Sequence, residues 1–145
     1  MPSALLLVNP HSRQGQKSLP VIKHHLEAMG LTLLQKSSEY PHQIPDLIRD
    51  YQDQVNLVII GGGDGTLNAA IAGIVETQLP LGILPLGTAN DLARTLAIPS
   101  TLAEACQVIV KGKQQVIDLG KVNEQYFFNV ASLGLSVDIT YQLTK

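Results

Sequence analysis

The chain has 145 residues, enough for one domain with a substantial hydrophobic core. Hydrophobic residues make up 45% and charged residues 15%, a globular balance, while a net charge of −2 with scattered Lys and Arg leaves no basic stripe for nucleic acid and no polybasic patch for anionic lipid. Aromatics are 4% with no Trp, and one Cys excludes an internal disulfide and fits a reducing cytosol; with no run of about 18 apolar residues and no basic leader, base stacking along nucleic acid, a membrane span and a signal peptide are all set aside, and a cytoplasmic protein is expected.

Ala4 to Val8 reads as a first strand, followed by the turn-rich Asn9-Pro10-His11-Ser12-Arg13-Gln14-Gly15. Ile22, Leu26 and Met29 recur at helical spacing, and Gly30 stops that helix. Leu31 to Leu34 is a second strand, Ser37 to Pro41 a loop, and Ile44, Leu47, Ile48 and Tyr51 mark a second helix. Val55 to Ile60 is a third strand. Leu67, Ala70, Ile71, Ile74 and Val75 form the apolar face of the helix after it. Leu81 to Leu84 is a fourth strand, and Pro85-Leu86-Gly87-Thr88 leads into a helix near Ala89 to Leu96. Leu102, Ala105, Cys106 and Ile109 face inward on another helix, which makes Cys106 a packing residue. Val116 to Leu119 and Gln125 to Val130 suggest a hairpin about Asn123-Glu124.

Strand–helix–strand alternation through the first two-thirds predicts an α/β fold, a parallel sheet with helices on both faces and right-handed crossovers. Ligands of such sheets bind outside the carboxyl ends of the strands. Three polar loops lie at those ends: Asn9 to Gly15, Gly61 to Asn68, and Pro85 to Asp91.

The second loop is the most informative. Leu57-Val58-Ile59-Ile60 runs into Gly61-Gly62-Gly63-Asp64-Gly65-Thr66-Leu67-Asn68. A buried strand that ends in glycines and turns into a helix exposes backbone N–H groups at the helix N-terminus, an anion site. Asp64 would repel a phosphate unless a cation lay between them, so the expectation is a nucleotide phosphate loop with Mg²⁺. A P-loop is excluded because no G-x-x-x-x-G-K-[ST] occurs, and the dinucleotide G-x-G-x-x-G spacing is absent too. A turn that needs positive φ would account for one or two glycines; four in five positions around an aspartate exceed that.

The other candidates are weaker singly. Asn9 and Ser12, at the end of the first strand, could cap a helix or meet a phosphate. Thr66 can give its hydroxyl to a phosphate oxygen, and the Asn68 amide is within reach of the loop. Asp91 falls in the first turn of a helix, where a carboxylate suits the dipole, with Arg94 placed to pair with it. Asp118 beside Gly120 reads alone as a turn residue. His11, His24, His25 and His42 lack metal-ligand spacing and read as surface residues.

Taken together, Asn9-Pro10-x-Ser12, Gly62-Gly63-Asp64-Gly65-Thr66, Pro85-Leu86-Gly87-Thr88-x-Asn90-Asp91-x-Ala93-Arg94, Asp118-Leu119-Gly120 and Phe128-Asn129-x-x-Ser132-x-Gly134 resemble the catalytic domain of the diacylglycerol kinase family, with the bacterial lipid kinases and the sphingosine and ceramide kinases. The resemblance spans nearly the whole chain. It implies a three-layer nucleotide-binding domain like those of phosphofructokinase and NAD kinase, with ATP and Mg²⁺ as cofactors and a lipid acceptor at the inner membrane surface. By this resemblance Asn9 and residues Gly62, Gly63, Asp64, Gly65, Thr66, Leu67 and Asn68 hold the ATP phosphates. Ser38 and Thr88 are further nucleotide contacts, and Asp64, Asp91 and Asp118 hold Mg²⁺ through water.

Two positions depart from the family: Ala69 stands where Glu is frequent, and Arg13-Gln14 follows Ser12 where Gly is common. The family also carries a β-rich second domain with the general base, which is expected to be absent here, leaving a nucleotide half that is inactive alone. Two other readings stay open. One is a kinase of NAD or another small molecule, which shares the glycine motif. The other is a non-catalytic module that binds nucleotide as a sensor or pairs with another chain, or with a second copy, through an apolar flank near Tyr126 to Val130.

Overall fold

The computed structural model describes residues 2–9, 13–37, 40–86, 98–111, 120–122 and 125–127. In chain order the elements are β1 (Ser3–Val8), α1 (Arg13–Ala28), β2 (Thr32–Lys36), a short 3₁₀ turn (Pro41–Gln43), α2 (Ile44–Tyr51), β3 (Leu57–Gly62), α3 (Asp64–Thr77), β4 (Leu81–Pro85), α4 (Leu102–Lys111), β5 (Gly120–Val122) and β6 (Gln125–Phe127).

The first four strands form one parallel sheet in the order β2-β1-β3-β4. Strands β1, β3 and β4 are buried on both faces because each face is covered by helices, whereas the edge strand β2 exposes Thr32 and Gln35. On β1 the alternation is direct: Leu5 and Leu7 join Val58, Ile60 and Ile83 against Ile44 and Ile48 of α2 and Leu67 and Ala70 of α3. Ala4, Leu6 and Val8 join Ile59 and Leu84 against Ile22 and Leu26 of α1 and Ala105 and Cys106 of α4. The three-layer α/β arrangement read from the sequence is what the chain forms.

Local detail follows from this packing. α1 passes through Pro20, which lacks an N–H and would break an unsupported helix; the fully buried Ile22 and Leu26, four residues apart, hold it on the sheet. α2 has only eight residues, too few to persist alone. It is pressed onto α3 at Gly73, where an added Cβ would lie 3.0 Å from Ile48 Cβ and 3.1 Å from the Pro45 backbone. Arg49 adds ion pairs of 2.7 Å to Asp46 and to Glu76 of α3; all three are solvent-exposed, so their contribution is small. These contacts advance together, Pro45 to Gly73 and Arg49 to Glu76, so α2 and α3 run in the same direction. Asn56 ties the entry of β3 to that of β1: its Oδ1 accepts the Ser3 N–H at 2.8 Å and its N–H donates to Ser3 O at 2.7 Å.

Several boundaries differ from expectation. β3 begins at Leu57 and continues through Gly61 and Gly62, and α1 starts at Arg13, inside the segment read as turn. The hairpin strands are antiparallel with Val122 opposite Gln125; the described arms are Gly120–Val122 and Gln125–Phe127, and residues 116–119, 123–124 and 128–130 lie outside the described residues. The expected helix over 89–96 also lies outside them. Among the described residues no helix is long and apolar enough to cross a membrane.

Candidate nucleotide-phosphate site

The sheet order places a switch point between β1 and β3: the chain leaves β1 for β2 on one side and returns to β3 on the other. In open parallel sheets the crevice outside the carboxyl ends at such a point receives the ligand. Asn9 ends β1 here, the glycine loop ends β3, and Leu86 follows β4 beside them. The Asn9 N–H donates to Gly61 O at 3.3 Å and the Leu86 N–H donates to Gly62 O at 3.1 Å. Both neighbours therefore bind the loop's carbonyls and fix its path.

The glycines do not serve positive φ. Gly63 is extended at φ −100° and ψ −166°, and among the described glycines only Gly30, with φ 98°, is left-handed. Gly61 and Gly62 are required by crowding. A Cβ on Gly61 would lie 3.0 Å from Leu86 Cδ1 and 3.1 Å from Val8 Cγ2. One on Gly62 would lie 2.9 Å from both Cβ and Oγ1 of Thr66, whose side chain folds back over the strand end. Gly65 differs: it sits in the first turn of α3, and a Cβ there would meet nothing within 4 Å. Neither backbone strain nor crowding demands glycine at that position, yet bare backbone faces open space.

That open space borders a helix N-terminus without a side-chain cap. The first intrahelical bond of α3 runs from the Leu67 N–H to Gly63 O at 3.1 Å. The N–H groups of Asp64, Gly65 and Thr66 precede it, at the positive end of the helix dipole. An uncapped helix start with room above it can accept an anion with several oxygens.

The structure sorts the candidates. Gly62, Gly63, Asp64, Gly65 and Thr66 meet Asn9 at the switch point. The Leu67 side chain is buried in the core and anchors α3 to the sheet, so only its backbone belongs to the loop. Asn68 is exposed on α3, and Ala69 packs against the core. The backbone of Asp64 opens α3; its side chain, and the whole of Ser38, Thr88, Asp91, Arg94 and Asp118, lie outside the described residues. Side-chain burial along 126–130 lies outside them too.

Cys106 is fully buried beneath α4, and burial pushes its thiol pKa up, as befits a packing residue rather than a nucleophile. Among the described residues no three His, Cys, Asp or Glu cluster to hold a metal. The sequence reading missed the bracing by the Asn9 and Leu86 N–H groups, because neither bond involves a side chain.

Residues 3–122 match the model of a family described as "Diacylglycerol kinase catalytic domain". A diacylglycerol kinase of Staphylococcus saprophyticus is 33% identical over 144 residues, covering 96% of this chain and 47% of the relative. One from Staphylococcus epidermidis is 40% identical over 96 residues, 65% of this chain and 30% of the relative. A crystal structure of a diacylglycerol kinase from Bacillus anthracis strain Sterne is 33% identical with a TM-score of 0.75, over 88% of this chain and 45% of that one. The chain thus spans about half the length of curated relatives that it matches along nearly its whole extent.

Proposed function

This chain belongs to the diacylglycerol kinase catalytic domain family, and from that premise we propose that it is the nucleotide-binding half of an ATP- and Mg²⁺-dependent kinase that phosphorylates the hydroxyl of diacylglycerol or a related lipid. The observation that carries the reading is Gly65, a glycine that the fold itself does not require, facing open space at an uncapped helix start.

Phosphoryl transfer needs positioning and charge neutralisation more than covalent chemistry from the protein. In this reading the N–H groups of Asp64, Gly65 and Thr66 bind phosphate oxygens, and the Thr66 hydroxyl supports them from its seat over Gly62. Asp64, Asp91 and Asp118 would hold Mg²⁺. Carboxylates are the hard oxygen donors that this ion takes. When bound, the ion supplies positive charge against the charge that develops on the transferred phosphoryl group. Ser38 and Thr88 are assigned as further nucleotide contacts. The acceptor hydroxyl and the base that takes its proton are assigned outside residues 1–145, so these residues alone bind nucleotide and transfer nothing to lipid.

Calorimetric titration of the chain with ATP and Mg²⁺, beside Asp64→Ala, tests this. Binding that requires Mg²⁺ and is lost in the variant is the expected result. Equal affinity with and without Mg²⁺, or in both proteins, would remove Asp64 from the reading, and lipid phosphorylation by these 145 residues would overturn the assignment of the base elsewhere.

A further inference from the structure

We propose that Tyr40 and His42 form a stacking platform for the nucleobase, so that the nucleotide lies across the carboxyl edge of the sheet with its phosphates at α3 and its base beyond β1. This rests on the nucleotide reading above.

The two rings stack with centroids 5.6 Å apart and planes 15° from parallel. Both are solvent-exposed, Tyr40 at 55%, in a chain with only four Tyr, two Phe and no Trp. The backbone beneath them is fixed. The Gln43 N–H donates to Tyr40 O at 3.0 Å, and the Tyr40 N–H donates to Gln43 Oε1 at 3.4 Å. One bond is a backbone i to i+3 turn bond and the other reaches back through the Gln43 side chain, and together they order the turn before any ligand arrives. An exposed aromatic pair on a fixed turn offers a flat π-face at little ordering cost.

Its position gives the occupant. The turn follows β2, whose carboxyl end lies on the same edge as the glycine loop, with β1 between β2 and β3. Two inter-strand spacings, about 10 Å, separate β2 from β3. The turn also packs on α3 directly. Because α2 and α3 run in the same direction from the Pro45–Gly73 contact, stepping back from Pro45 to Tyr40 moves toward the α3 N-terminus. A ligand with phosphates at Gly65 and a flat ring system one nucleoside away meets both features. Stacking is tolerant of base identity, because every base has a π-face.

The experiment compares ATP with inorganic tripolyphosphate, each with Mg²⁺, on the wild-type chain, Tyr40→Ala and Tyr40→Phe, with urea melts to verify folding. The expected result is a roughly tenfold or greater loss of ATP affinity in Tyr40→Ala. Tripolyphosphate affinity should be unchanged in that variant, and Tyr40→Phe should bind ATP as the wild type does. ATP affinity unchanged in Tyr40→Ala overturns the platform and leaves the phosphate site standing. Equal losses for ATP and tripolyphosphate overturn it too, by showing a structural effect on the loop. Failure of both ligands to bind wild type overturns the phosphate reading and the platform with it.

Discussion

Gly65→Ala separates what the fold needs from what a ligand needs. The position is in the first turn of α3 with open space around the absent Cβ and no left-handed backbone. Among the described residues, a methyl group there meets no atom within 4 Å apart from its chain neighbours and its own helix backbone, so nothing described crowds it. Replacing a helical glycine with alanine reduces the entropy lost on folding and gains about 0.4–1 kcal/mol. For a chain of this length that is a rise in Tm of roughly 2–5 °C. If the phosphate of the proposed site lies over Gly65, the same methyl intrudes on it. Loss of one charge-assisted hydrogen bond costs about 1.5–3 kcal/mol, or about 10- to 150-fold in Kd. Urea denaturation and ATP·Mg²⁺ calorimetry on the same preparation should therefore move in opposite directions. A variant that is more stable and still binds nucleotide as tightly would show that phosphate does not sit over Gly65. A variant that is less stable would show that the helix start is crowded after all.

Three further perturbations follow from packing. Gly62→Ala should destabilise by about 1–3 kcal/mol in urea melts, and because the nearest atoms include Thr66 Cβ itself, pairing it with Thr66→Gly should recover stability that pairing with Thr66→Ser does not. Gly73→Ala gains helix propensity but drives a Cβ against the Pro45 backbone and Ile48, so a net loss of about 1–2 kcal/mol is expected; a rise in the urea midpoint would contradict the close approach of α2 and α3. The Cys106 thiol is held neutral by burial, with its pKa raised. Its contribution to stability is present below the unfolded thiol's pKa and lost as pH rises past it, and iodoacetamide labelling should track global unfolding; fast labelling of the native chain would refute the burial.

The sheet was legible because its central strands are buried on both sides, so Leu5 to Val8 and Val58 to Ile60 appear as unbroken apolar runs. The last two residues of β3 were not, since glycine has no side chain to extend the pattern through Gly61 and Gly62. The start of α1 was hidden because Asn9 to Gly15 has the composition of a turn, and the helix is secured later by Ile22 and Leu26. At the candidate site, the glycine-rich passage from strand to helix pointed to an anion-binding loop. It could not say which glycines the fold demands. That distinction rests on Leu86, Val8 and Thr66 for Gly61 and Gly62, and on emptiness for Gly65, none of which is encoded in spacing. The Tyr40–His42 pair escaped notice because two aromatics separated by one residue meet only when a tight turn brings them together.

The braces from Asn9 and Leu86 make the glycine loop a joint product of three strands. Gly61 O is held from β1's side and Gly62 O from β4's side, so the loop's position is the sum of two registers, Val8 against Gly61 and Gly62 against Pro85. A one-residue insertion or deletion within β1 or β4 would exchange inward and outward side chains and at the same stroke displace one of the loop's two supports. Strand length in this sheet is thus a functional variable. Drift in helix lengths can be absorbed at the layers' outer surfaces, whereas drift in strand lengths is transmitted to the glycine loop.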